Sequence, residues 1–134
     1  MTVVESIIKW FASFNINDID TDALGGQSAS YGIAKEPVQN VKTYISGRKV
    51  YTDYYEFLAR LDSKTDAERN NNHVFMERLS EWIYEQGQSR IFPELPEHLR
   101  CLDISISTPF HMKAANEDSA IYGFTIKIKY EKER

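Results

Sequence analysis

The sequence predicts an α+β domain, in which a largely antiparallel sheet of four to five strands carries two amphipathic helices packed on one face. Three observations lead there. Two segments space their apolar residues three to four apart and each opens on Thr-x-x-Glu, other segments alternate apolar with polar residues, and the order is helix, three strands, helix, two strands. A chain of 134 residues has room for one domain, 1–134, with one sizeable core.

The first helix is expected over Val3 to Phe14. Val3, Val4, Ile7, Ile8, Trp10, Phe11 and Phe14 take one side, while Glu5, Ser6, Lys9 and Ser13 take the other. Thr2 and Glu5 are spaced as a capping box, which satisfies orphan amides of the first turn. Asn15 to Gln27, rich in Asn, Asp and Thr and holding Gly25-Gly26, reads as a surface loop. Ala29 to Ala34 and Val41 to Ile45 read as short strands separated at Glu36-Pro37, because proline lacks an amide donor. Ser46-Gly47-Arg48-Lys49 marks a hairpin tip.

Val50 to Leu61 reads as a long strand with Tyr51, Tyr55, Phe57, Ala59 and Leu61 on one face. Asp53 interrupts that face, and it reads as a strand end emerging into solvent, since a buried carboxylate needs a partner. Thr65 and Glu68 open the second helix, whose apolar face is Phe75, Met76, Leu79, Trp82 and Ile83, and Gly87 is placed to end it in a left-handed conformation. Phe92-Pro93-Glu94-Leu95-Pro96 reads as a connector pinned by Phe92 and Leu95.

Two strands finish the domain. Leu102, Ile104 and Ile106 face in on the first, with Asp103, Ser105 and Ser107 facing out. Tyr122, Phe124, Ile126, Ile128 and Tyr130 face in on the second, with Thr125, Lys127, Lys129 and Glu131 facing out. Joining the two apolar faces in a hairpin demands an even register sum, and Ile104 opposite Ile126 with Asp103 opposite Lys127 meets that demand.

With 42% hydrophobic and 27% charged residues, the chain fits none of the disordered, collagen-like or disulfide-framework classes. Sixteen basic residues against twenty acidic ones leave a net charge of −4, and no direct grip on nucleic acid is expected. No stretch approaches 18 apolar residues, and Met1 to Phe14 carries Glu5 and Lys9, so neither a membrane span nor a signal peptide is expected. Cys101, the single cysteine, reads as a buried or half-buried thiol in a reducing compartment rather than as a nucleophile.

Asp18, Asp20 and Asp22 alternate like the first half of a calcium-binding EF loop. The likeness stops at Ala23, where that loop has Gly, and at Ala29, where it has a bidentate Glu, so the segment reads as a solvated acidic loop or a contact surface for a basic patch. His73, His98 and His111 lack zinc-ligand spacing, and His73 with Glu77 reads as surface electrostatics. No Gly-x-Ser-x-Gly or phosphate-loop motif occurs; no catalytic residue, metal or cofactor is expected. Tyr31, Tyr44, Tyr51, Tyr54 and Tyr55 read mostly as sheet residues with a wet hydroxyl, though such side chains also suit an interface. The contact residues favoured by charge are the acidic loop at Asp18, Asp20 and Asp22 and the basic tip at Arg48 and Lys49.

From end to end, the chain resembles the minor capsid or tail-terminator (tail completion) proteins of long-tailed bacteriophages of Gram-positive hosts. The matching features are the Ile7 to Phe14 helix, Ile19-Asp-Thr-Asp-Ala-Leu24, Ser30-Tyr-Gly-Ile-Ala-Lys-Glu-Pro37, Tyr44-Ile-Ser-Gly47 and the aromatic strand through Phe57. Phe75 with Leu79-Ser-Glu-Trp82, Pro93-Glu-Leu95, Ala120-Ile-Tyr122 and Ile126-Lys-Ile-Lys-Tyr130 complete the order. The resemblance implies a non-enzymatic virion component at the tail or head-tail junction, assembled in the host cytoplasm. It implies a ring, typically hexameric, that caps the tail tube and meets the tube protein and the head connector. It transfers no catalytic or interface residue. Another minor capsid or head-tail connector component, a small-ligand-binding domain and an adaptor domain stay open as alternatives.

Overall fold

Thr2 and Thr65 start the two helices of the structure, a computed structural model that describes residues 1–132. Helix α1 (Val3–Phe11) is capped by the Thr2 hydroxyl, which accepts from the Glu5 amide at 3.2 Å, and continues as a 3-10 turn over Ala12–Phe14. Asn15, left-handed at φ 67°, ends that turn. Helix α2 (Asp66–Gln88) has the full reciprocal box between Thr65 and Glu68.

The sheet holds five strands: β1 (Ile19–Thr21), β2 (Ser30–Thr43), β3 (Lys49–Asp62), β4 (Leu99–Ala115) and β5 (Ser119–Lys132). Their spatial order is β1-β2-β3-β5-β4; β1 pairs parallel with β2 and every other pair is antiparallel. This is the expected α+β architecture. Both helices contribute to one core on the same sheet face. Phe57 on β3 and Phe124 on β5 pair across the strands with ring centroids 5.1 Å apart, and Phe11 of α1 sits 5.2 Å from Phe57. Met76, Leu79 and Ile83 of α2 are fully buried in that core, and Trp82 packs against Trp10 with tilted rings, centroids 4.5 Å apart. The Trp10 indole donates to the Ile91 carbonyl at 2.9 Å, tying α1 to the connector after α2, where Phe92 and Leu95 pack against the core as expected.

Six local expectations need correction. Asn15 to Gln27 is not all loop: Ile16 and Ile19 are buried, and β1 forms because Ile19 gains core contacts when it pairs with Tyr31. The two short strands expected either side of Glu36-Pro37 are one strand, β2, in which Pro37 lies at a register shift between Lys35 and Gln39, where no ladder amide is required. Gly87 stays helical. Arg90, at φ 58°, takes the left-handed position instead, with Ile91 N donating to Gln86 O and Arg90 N to Gly87 O in a Schellman ending.

Asp53 does not emerge into solvent; it is 1% exposed. Glu131, expected to face out freely, is buried by two arginines. From Asp103 to Ile106 the β4–β5 register places Ile104 opposite Ile128 and Asp103 opposite Lys129, two residues from the expected pairing; parity holds over that stretch, so Asp103 and Lys127 share a face, and register shifts change it on either side. The slip of two has no signature in an alternating pattern, since only odd slips turn core residues outward.

Candidate functional site

β1 covers β2 only from Tyr31 to Ile33, so beyond that point β2 is the edge of the sheet, and the β2–β3 arm stays paired with β5 as far as Val50 and projects past the sheet only at its tip. The arm ends in a turn closed by Tyr44 N to Arg48 O at 2.8 Å and Gly47 N to Tyr44 O at 2.9 Å. Gly47 has φ 88°, a conformation that a side chain at this position would strain. Ile45 at the apex is fully exposed, with Val38, Val41 and Tyr44 exposed behind it. Lys42 and Arg48 each stand 5.1 Å from the Tyr44 ring centroid, so two cations contact the ring.

At the base of the tip, Arg48 and Arg100 both pair with Glu131. Arg100, and next Arg48, hold the Glu131 carboxyl below the usual carboxylate range. Lys49 makes no ion pair among the described residues, whereas Arg48 is engaged within its own chain. A depression of about 370 Å³ lies here, lined by Arg48, Lys49, Lys132, Tyr51 and Glu131 among others, so cations outnumber the one acid. Tyr51 stacks on Tyr130 at 5.5 Å and carries Lys132 over its ring at 4.9 Å.

Asp53 governs the root of the arm. Its carboxylate accepts from the Tyr130 hydroxyl at 2.8 Å and from Gln39 Nε2 at 2.6 Å, and Lys35 Nζ stands 3.6 Å away. Lys35 and Gln39 are the residues on either side of the β2 register shift, so one buried acid grips both ends of the bulge. Burial first, and then the hydrogen bond to Asp53, push the Tyr130 hydroxyl well above the ordinary tyrosine value. Burial, with Asp53 second, pushes Tyr55 up to about 12. A cleft of about 370 Å³ opens beside this network between the start of α1, Asp22 and Lys35. Every buried polar side-chain atom among the described residues has a partner, so Asp53 is accounted for by the groups that hold it.

The acidic residues lie elsewhere. Asp20 is exposed on β1, with Asp18 and Asp22 exposed just before and just after it, and Asp22 leaves the extended conformation at φ 55°. Among the described residues, no group of three or more His, Cys, Asp or Glu is gathered at a metal-binding distance. β1 ends opposite Ile33, and the arm's last pair is Thr43 with Lys49, which separates the acidic strand from the basic tip by about 30 Å. The two predicted contact sites are therefore not neighbours within one chain. Sequence reasoning missed Glu131 and Arg100, because the expected register set Arg100 opposite Tyr130, whereas a register shift between Cys101 and Asp103 brings it opposite Glu131. It also missed Ile45 as an exposed apex, although an apolar residue directly before Ser46-Gly47 was a usable hint.

His73 is exposed at the edges of Phe110 and Tyr122, with ring centroids 5.6 and 5.8 Å away. Cys101 is half-buried, and burial above all pushes its thiol up to about 12. No helix of the described residues is long and apolar enough to cross a membrane. No protein-family model matches the chain, and no curated protein matches it significantly.

Proposed function

We propose that this chain is a non-enzymatic phage virion protein, a tail terminator or tail completion protein that closes into a ring on the tail tube and helps join it to the head connector. The observation that supports this reading most is the β2–β3 arm, with its fully exposed Ile45, flanking Lys42 and Lys49, and an acidic strand about 30 Å away. A surface that is basic and apolar at one end and acidic at another is self-complementary only between copies, and repeated head-to-tail contact closes a ring when the rotation permits. The resemblance along the chain supports the same assignment and supplies the tube and connector as partners.

Two measurements test it. Native mass spectrometry across protein concentration is expected to show a closed species, with six copies as the expected count. Purified chain mixed with tail tubes is expected to stop tube growth and appear as a terminal ring in electron micrographs. Tubes that neither bind the chain nor stop growing at saturating concentration would remove the terminator reading.

A further inference from the structure

The α2/β4 side of the molecule carries an apolar furrow with an acidic rim. Two adjoining depressions of about 490 and 270 Å³ share Ser80, Tyr84 and Ile106. Phe110 and Pro109 close the wider one, while Glu77, Glu81 and Asp103 are the only charged residues in either lining among the described residues. Register shifts at Ile106/Thr108 and Thr108/His111 bend β4 where it borders the furrow. Tyr84 is two-thirds exposed, an unusual state for a large aromatic residue beside other apolar groups.

The arm tip is the complement of this furrow in shape and charge. Tyr44 and Ile45 project apolar surface, and Lys42, Arg48 and Lys49 surround it with positive charge. We infer that the β2–β3 tip of one copy seats in the α2/β4 furrow of a second copy. Ile45 and Tyr44 meet Tyr84, Ile106 and Phe110, and Lys42 and Lys49 face Glu77 and Glu81. The chain's own tip does not serve, because β3 and β5 lie between β2 and β4 and the tip points along the strands, not across the roughly 14 Å that separates them.

The acidic β1 strand is the weaker receptor. Its apolar residues Ile16 and Ile19 are buried, so it offers charge without a surface for Ile45. The furrow offers both, and fully desolvated aromatic contacts ringed by charge are what carry binding energy at protein interfaces. This docking rests on the ring reading above and specifies the contact that joins neighbours. Tip and furrow are different patches, so the interface is heterologous.

Two single variants at exposed positions test it, Ile45→Asp in the tip and Tyr84→Asp in the furrow. Sedimentation velocity is expected to show that each weakens self-association by at least about tenfold, the loss typical of a central interface residue. An equimolar mixture is expected to form dimers and nothing larger, because one chain keeps a working furrow and the other a working tip. As a second measurement in a Cys101→Ser background, an Ile45→Cys chain mixed with a Tyr84→Cys chain is expected to form a disulfide-linked heterodimer.

Unchanged assembly of Ile45→Asp overturns the docking, as does a mixture that yields no dimer. Wild-type chain that stays monomeric at millimolar concentration overturns it too. The ring reading stands or falls separately on capped tail tubes, so a ring on tubes with an unaffected Ile45→Asp chain would mean a different neighbour contact.

Discussion

Asp53 is a single residue that decides where a strand bends. An acid at 1% exposure is tolerated because a hydroxyl and an amide donate to it and Lys35 stands near, and because two of those three groups bracket the bulge at Pro37. Asp53→Ala leaves Tyr130 and Gln39 without their acceptor, and is expected to destabilise the fold by about 1–3 kcal/mol, read from the urea midpoint. Glu131 makes a different prediction, one of pH. Its folded-state carboxyl titrates below the unfolded one, so its contribution is fully present above the ordinary carboxylate range and is lost as pH falls through the folded value. Glu131→Gln is therefore expected to lower Tm at pH 7, with the gap to wild type closing as pH falls through the carboxylate range; a gap constant down to pH 3 would rule out the arginine pairing as its cause. Cys101, with its thiol pushed up to about 12, is expected to react with a disulfide reagent at pH 8 at least about a hundredfold more slowly than free cysteine, until urea unfolds the chain. Neither carboxylate's role was legible in sequence. Asp53 and Glu131 acquire their partners from residues 14 to 83 positions away, and alternation reports a face but not what else has reached it.

At the scale of elements, local chemistry and close packing compete, and α2 shows both. The Thr65–Glu68 box and the Met76, Leu79, Ile83 stripe are readable because a helix turn repeats within a few residues. The end of α2 is not, because Gly87 serves a neighbour and not the turn. A Cβ at Gly87 would lie 2.9 Å from the Ile104 carbonyl of β4, so the missing side chain lets helix and strand approach, and Arg90 accepts the left-handed conformation instead. Gly87→Ala gains about 1 kcal/mol of helix propensity. Against that stands an overpacking cost of about 1–3 kcal/mol for displacing backbone. The balance predicts a lower urea midpoint for Gly87→Ala. A higher midpoint would mean that α2 and β4 separate at little cost. The joined β2 follows the same logic: proline excludes a ladder amide at one position, but a bulge lets the strand continue past it.

For the whole molecule, the arrangement of charge matters more than its sum. The arm tip gathers Lys42, Arg48 and Lys49, the furrow holds Glu77, Glu81 and Asp103, and the net charge of −4 describes neither. If opposite patches join copies, assembly is expected to weaken by at least about tenfold as salt rises from about 0.1 M to about 1 M, where the screening length falls from about 10 Å to about 3 Å. Because Arg48 also holds Glu131, Lys42→Glu with Lys49→Glu is the cleaner charge reversal for sedimentation velocity. Assembly indifferent to both salt and this reversal would leave the apolar contact alone to join the copies.

The sequence by itself determined the α+β class, both helices and their N-terminal caps, the long β3 strand and the parity of the last hairpin around Ile104, because each follows from periods of two or 3.6 residues and from chemistry within one turn. Only the tertiary structure decided that β1 joins the sheet, that β2 is one strand, that Asp53 and Glu131 are buried with partners, and that the acidic strand stands about 30 Å from the basic tip. Those outcomes depend on which distant segments become neighbours, and the core contacts that select them are spread over the whole chain, where no short window records them.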